Sequence, residues 1–284
     1  MKHNITDYNK FFFATPVILW PLFTLFLPLT AIIYTSFYHE GTLSLSQYIH
    51  FVNPIYHKVI FRSLSIALLT TMGTLLIGYP IAYFIGICCK KKYKMILLML
   101  ITLPFWTNFI VQVYSWFFIL DKYGLLNQLL LTLKIIEVPI ELAYNMWSII
   151  IIMVYCYLPF MIIPLYSAFE KLDPKLLEAS MDLGANQLQT FWHITLPLSR
   201  SGIKTGTLLV FVPSFGEFVI PTLLGGSKYL TAGSLISYYY IETYNTTLGS
   251  AFTVIVGFVL LASVMMINIL IHMITKNRNE LLYE

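Results

Sequence analysis

Glu217 is the residue whose position most demands a chemical account. It is the one acid well inside an apolar stretch, at 202–224. It lies 13 residues beyond Lys204, about 20 Å along a helix that rises about 1.5 Å per residue. An unpaired carboxylate is costly to desolvate, so Glu217 must face a partner, a wet cavity or a cation. A second group, Trp106, Thr107, Asn108 and Tyr114, lies in the apolar stretch 95–120. Trp106 and Tyr114 are eight residues apart, within about 80° of one another on a helix. Asn108 in hydrocarbon needs a partner, which points it toward the interior of a bundle. Asp121 closes the same stretch.

Other chemistries find no footing. Gly225-Gly226-Ser227-Lys228 lacks the spacing of a phosphate-binding loop, so ATP is not bound by that motif. The six histidines, His3, His39, His50, His57, His193 and His272, form no H-E-x-x-H pair. No G-x-S-x-G nucleophile elbow occurs. Cys88, Cys89 and Cys156 have neither C-x-x-C nor paired metal spacing and read as packing residues. No catalytic residue, metal ligand or cofactor is assigned, and the chain reads as non-catalytic.

The elements that position these side chains follow from composition. Of 284 residues, 58% are hydrophobic and 11% charged. An average soluble domain is about 45–50% apolar and about 25% charged. The 17 bases and 13 acids, 30 charges in all, cannot coat a water-soluble surface of this size. Mean hydropathy is +0.77. The fold class is therefore an all-α polytopic membrane protein, which excludes a secreted disulfide scaffold and a nucleic-acid-binding partner. A crossing needs roughly 20 apolar residues, and six stretches supply it: about 11–38, 61–87, 95–120, 143–169, 202–224 and 249–274. The first is too long for a signal-peptide core and lacks a small-residue cleavage site, so it reads as an uncleaved span. Prolines interrupt most of these stretches, among them 16, 21, 28, 104, 159, 164, 213 and 221, as packing kinks or as kinks that open a central path.

With the N-terminus in the cytoplasm, 12 bases lie inside: Lys2, Lys10, Lys90, Lys91, Lys92, Lys94, Lys171, Lys175, Arg200, Lys204, Lys276 and Arg278. Five lie outside: Lys58, Arg62, Lys122, Lys134 and Lys228. The positive-inside rule then places both termini in the cytoplasm of a multi-pass plasma or inner membrane protein. In the outside loop 121–142, Leu125, Leu126, Leu129, Leu130 and Leu133 suit one face of a short interfacial helix. The whole chain, 1–284, reads as one membrane domain.

The inside loop 170–200 is the most informative segment. Asp173 before Pro174 reads as an N-cap with proline at the first helical position. The helix through Leu176, Leu177 and Ala179 should end at Gly184 in a left-handed cap. Asn186 and Gln189 form a capping box for a second helix carrying Leu188, Phe191, Trp192 and Leu196, with Pro197 as its stop. Periodicity alone leaves two readings open, a loop packed back on its spans or an elbow offered to a partner.

Glu178-Ala179-Ser180, three residues, Gly184, nine residues, then Ile194-x-Leu196-Pro197 resembles the EAA signature of ABC-importer permeases, departing only at Ser180, where alanine is preferred. The runs TLPFWTNFIVQVYSW, KYGLLN, YLPFMIIPLYSAFEKLD and FVPSFGEFVIPTLLGGSKY look like the permeases of spermidine/putrescine importers of the PotB type. The resemblance covers most of 60–230. It implies a type I importer fold in which Glu178, Ala179, Ser180, Gly184, Ile194, Leu196 and Pro197 form a coupling helix docked on an ATPase. It further implies a homologous second permease of the PotC type, an ATPase dimer and an extracytoplasmic polyamine-binding protein.

If the resemblance extends to substrate, a flexible polycation must cross. Its ammoniums need acids, hydroxyls or amides, and its methylenes need aromatic faces. Glu217, Trp106, Asn108 and Tyr114 are then the candidate path, with Asp121 at its outer end to meet incoming cations. For Glu217 an interhelical hydrogen bond or a pair with the second permease stands beside the path role. Relatives often carry an acid just before LLGG, where this chain has Thr222. Importers of thiamine or ferric ion, and more remotely a stand-alone secondary carrier, are the alternatives; a membrane-embedded enzyme lacks clustered polar groups.

Overall fold

The structure, a computed structural model, describes residues 5–39 and 42–276. His3, Lys2 and Arg278 lie outside the described residues, as do the side chains of Lys10, His39, His272 and Lys276.

Helix α1 (Ile5–Phe37) runs unbroken through Pro16, Pro21 and Pro28. Thr24 and Thr30 donate to the carbonyls of Trp20 and Phe26, at 2.8 and 2.9 Å, so their hydroxyls are satisfied within the helix. The sequence suggested helices alone, but an antiparallel pair of two-residue strands follows, β1 (Tyr38–His39) and β2 (Thr42–Leu43). Next come α2 (Ser46–His50) and α3 (Pro54–Tyr83), which closes in a π-helical turn at 84–88.

The stretch 95–120 is not one helix. It is α4 (Lys91–Thr102), a 3-10 turn Leu103–Trp106, and α5 (Phe109–Leu120). Pro104 lies in the 3-10 turn, and Thr107 and Asn108 are extended, with ψ of 152° and 127°. There the α-helical ladder is interrupted rather than bent. Then α6 (Leu125–Thr132), the short helix expected in the outside loop, leads to α7 (Met146–Glu170), which carries Pro159 and Pro164 without interruption. The elbow holds α8 (Pro174–Asp182), α9 (Gln187–Thr190), a π-helical turn Phe191–Thr195, and α10 (Leu196–Leu198). It passes into α11 (Arg200–Gly216), which bends by 57° into α12 (Val219–Gly225). The chain ends with α13 (Ala232–Ser237) and α14 (Thr246–Lys276). Among the described residues, five helical stretches are long and apolar enough to cross a membrane, six if the bent pair counts as one crossing.

The chain forms two compact units. The first comprises Met1–His57 and Ile236–Phe258. Hydroxyls knit it: Ser250 Oγ meets Thr35 Oγ1 at 2.6 Å and the Tyr240 hydroxyl at 2.8 Å. Phe51 packs on Tyr56, Phe252 and Tyr239, with ring centroids 4.8, 5.0 and 6.0 Å away. Burial, then the hydrogen bond to Tyr56, raises the Tyr239 phenol above its ordinary pKa.

The second unit comprises Lys58–Leu235 and Val259–Glu284. Its core is α7, whose Ile149, Ile152, Met153, Met161, Ile162 and Leu165 are buried. Helix α11 lies along it through Gly202 and Gly206, a small-xxx-small pair. A Cβ on Gly202 would stand 2.8 Å from the Pro164 carbonyl, and one on Gly206 would stand 2.6 Å from Met161 Sδ. The contact therefore requires glycine at 202, where backbone atoms stand in the way, whereas at 206 the end of the Met161 side chain would have to shift.

Candidate functional site

Two places in the second unit hold the residues singled out by sequence. In the elbow, Asp173 Oδ1 accepts from the Lys175 amide at 3.0 Å and caps α8. Gly184 adopts φ +88°, and the amides of Gly184 and Ala185 donate to the carbonyls of Met181 and Ser180. These are the two bonds of a Schellman cap. Asn186 and Gln189 exchange 2.8 Å bonds in a capping box. Ser180, the departure from the signature, is buried, and its hydroxyl meets Thr190 Oγ1 at 2.8 Å. That bond joins α8 to α9, and sequence reasoning missed Thr190.

Pro197 does not stop the elbow. Ser199 donates to the Thr195 carbonyl and Ile203 to that of Ser199, so the helical path continues into α11. After the π-helical turn Pro197 occupies the first turn of a new helical segment, where its missing N–H breaks no ladder bond. Tyr79 of α3 fastens this joint: its hydroxyl lies 3.0 Å from Ser199 Oγ, and its ring is edge-on to Phe169 and Phe191. Ile194 packs against the core. Glu178 and Ala179 face outward with Leu176, Met181, Leu188 and Leu183, the last 89% exposed.

The second place is where two helices break. Asn108 Oδ1 accepts from the amides of Ile110 and Val111 at 2.9 and 3.4 Å, so it caps α5. The partner sought across helices is two and three residues away. Glu217 sits in the bend between α11 and α12. Its Oε1 accepts from the amides of Phe218, Val219 and Ile220 at 3.0, 2.8 and 3.5 Å. Oε2 accepts from the Tyr157 hydroxyl of α7 at 2.6 Å. A carboxylate so placed satisfies the orphan amides of a helix start. The Thr231 hydroxyl also donates to the Glu217 carbonyl at 3.2 Å. Thus Glu217 has local and interhelical partners, and it is half-buried rather than enclosed.

A cleft of about 300 Å³ opens at the break before α5, within the usual ligand-pocket range of about 300–1,000 Å³. Its walls are Phe105, Thr107, Phe109 and Gln112 on one side and Cys156, Tyr157 and Phe160 on the other. Trp106 does not line it and is 88% exposed. Tyr114 and Asp121 likewise stand apart from it: Tyr114 is exposed on α5, and Asp121 ends that helix with its carbonyl accepting from Asn127 Nδ2 at 3.1 Å. Tyr157 and Gln112 escaped sequence reasoning. The only local signal was Tyr157's place before Pro159, inside a run read as packing.

Comparison with known proteins gives three findings. The model of the family described as binding-protein-dependent transport system inner membrane component matches residues 78–278. The spermidine/putrescine transport system permease protein PotB of Haemophilus influenzae is 39% identical over 255 residues, 87% of this chain and 89% of that protein. The PotB protein of Escherichia coli is 39% identical over 253 residues, 85% and 92% of the two chains. Among solved structures, a bacterial ABC transporter involved in import of the acidic polysaccharide alginate superposes with a TM-score of 0.75 at 18% identity, covering 95% of this chain and 97% of that one. The alginate transporter in complex with an alginate-bound periplasmic protein gives 0.79 at 17% identity, covering 95% and 96%. The fold is that of an ABC-importer permease.

Proposed function

Because the chain belongs to the binding-protein-dependent transport system inner membrane component family, we propose that it is the permease subunit of an ABC importer carrying polyamines, spermidine and putrescine, into the cytoplasm. The observation that carries this reading is the 39% identity to PotB permeases over most of both chains. The chain is a multi-pass membrane component and no enzyme; hydrolysis of ATP belongs to a separate subunit. In this reading the whole chain serves as one permease domain with both termini in the cytoplasm, supported by the 12 bases inside against five outside.

The elbow is the docking point for an ATPase dimer. Exposed Leu183, Leu188, Met181 and Leu176 offer an apolar knob whose shape is set by the Schellman cap, the capping box and the Ser180–Thr190 bond. Glu178 beside them makes no hydrogen bond or ion pair among the described residues and is available to a partner. Motion at the knob passes through the Pro197 joint into α11, and Tyr79 couples the same joint to α3. A homologous second permease completes the translocation path, and an extracytoplasmic binding protein delivers the polyamine.

Along the path, exposed Trp106 and Tyr114 present aromatic faces for ammoniums and methylenes. Asp121 meets incoming cations. Asn108 and Glu217 contribute by holding the two helix breaks in shape. The test is ATP-driven uptake of labelled putrescine and spermidine into vesicles holding the whole complex. Saturable uptake of either supports the reading; no uptake of both by an ATPase-competent complex overturns it, and parallel uptake of thiamine or ferric ion would redirect it.

A further inference from the structure

The cleft before α5 has a composition that neither lipid nor core packing explains. Three rings converge on it: Phe105 and Phe160 lie 4.8 Å apart between centroids, and Tyr157 lies 6.2 Å from Phe160. Phe105 and Phe160 are 41% and 37% exposed, so neither ring is enclosed by packing, while Tyr157 is 7% exposed and forms the inner wall. The Gln112 side chain reaches the same space and has no hydrogen-bond partner among the described residues. An apolar occupant would leave that amide unsatisfied, and an anion would meet the negative faces of three rings.

A cation suits all of these groups. Ring faces attract ammonium, and an amide oxygen accepts from it. The Tyr157 hydroxyl donates to Glu217 Oε2 at 2.6 Å, a charge-assisted bond. Donation of that proton toward a carboxylate pushes electron density back into the phenol ring and strengthens its cation-binding face. The carboxylate is engaged by amides and phenol, so the cleft offers a cation polarised rings and an amide rather than a direct ion pair. A conducting site has to bind weakly enough to release, and this arrangement does so.

We propose that this cleft is a transient subsite for one ammonium of the polyamine and its adjoining methylenes, with Tyr157, Phe105 and Phe160 as the cation face, Gln112 as the oxygen ligand, and Glu217 as a positioning residue that acts through Tyr157. The inference rests on the polyamine reading above and adds to it the residues of this chain that touch substrate.

The experiment uses the complete complex in vesicles. Phe160→Leu and Gln112→Ala should each raise KM for putrescine about five-fold, the order of one cation–π or amide contact, with kcat nearly unchanged. Tyr157→Phe and Glu217→Gln should raise KM by similar factors, and the double variant should exceed neither single, since both remove one interaction. A purely structural role for the pair would lower kcat and complex yield and leave KM in place. Occupancy is read separately: in a complex with Cys88, Cys89 and Cys156 replaced by alanine, Thr107→Cys at the cleft wall should be alkylated by a maleimide more slowly in saturating putrescine. Normal uptake with unmoved KM in the variants, or with alkylation indifferent to putrescine, overturns the subsite alone. No uptake by the unaltered complex overturns the polyamine reading and the subsite with it.

Discussion

Replacing Glu217 by alanine separates its two jobs. The carboxylate accepts three backbone amides and one phenol, and alanine removes all four. Loss of a helix cap costs about 0.5–2 kcal/mol. Loss of a hydrogen bond to a charged group adds about 1.5–3 kcal/mol, because the Tyr157 hydroxyl sits on a side chain only 7% exposed. Solvent reaches the half-buried carboxylate, so the total belongs near the lower end, about 2–3 kcal/mol. Glutamine behaves differently. Its carbonyl can replace Oε1 at the three amides, and its NH₂ can donate to the Tyr157 oxygen, so the bend survives with the bond reversed. Glu217→Ala should therefore lower the thermal midpoint of the detergent-solubilised complex and reduce uptake, while Glu217→Gln keeps the midpoint and changes substrate affinity. An alanine variant melting with the parent complex would refute the account of Glu217 as the residue that holds the bent crossing together.

Three further outcomes test the elbow and its track. Gly184→Ala meets no atom within 4 Å, so its whole effect is the left-handed φ, about 1 kcal/mol, and ATPase activity should become less tightly coupled to uptake. Unaltered coupling in a ratio measurement of ATP hydrolysed per putrescine would count against the elbow assignment. Ser180→Ala and Thr190→Val should show a coupling energy of about 1 kcal/mol in a double-mutant cycle read by thermal unfolding; additive effects would deny the bond between α8 and α9. Gly202→Leu should prevent α11 from seating on α7 and abolish assembled complex on size-exclusion chromatography, and normal assembly would contradict the close approach.

The elbow was readable residue by residue because its devices are local. Asp173, Gly184, Asn186 and Gln189 each bond within a few positions, and such bonds leave a spacing in sequence. Tyr157 and Glu217 are 60 positions apart, and Tyr79 and Ser199 are 120 apart, so composition offered no trace of either pair. Asn108 misled in the opposite direction. Its polar side chain in an apolar stretch suggested an interhelical contact, yet the break after Pro104 frees amides beside it, and capping them was nearer at hand. Pro197 failed as a stop for a related reason: a π-helical turn before it resets the ladder, which local propensity does not foresee.

The unbroken run from the elbow into α11 gives the subunit a stiff rod with a fixed joint at one end and a bend at the other. Helix α11 has 17 residues, about 25 Å at about 1.5 Å per residue. A tilt of about 5° at the elbow joint displaces the far end of such a rod by roughly 2 Å, with no residue along it changing conformation. That displacement arrives at the Glu217 bend, whose carboxylate is tied on one side to α12 and on the other to Tyr157. Geometry alone thus turns a small rocking at the elbow into a stroke of hydrogen-bond dimensions at the bend, and a stroke of that size is sufficient to take Glu217 off its phenol.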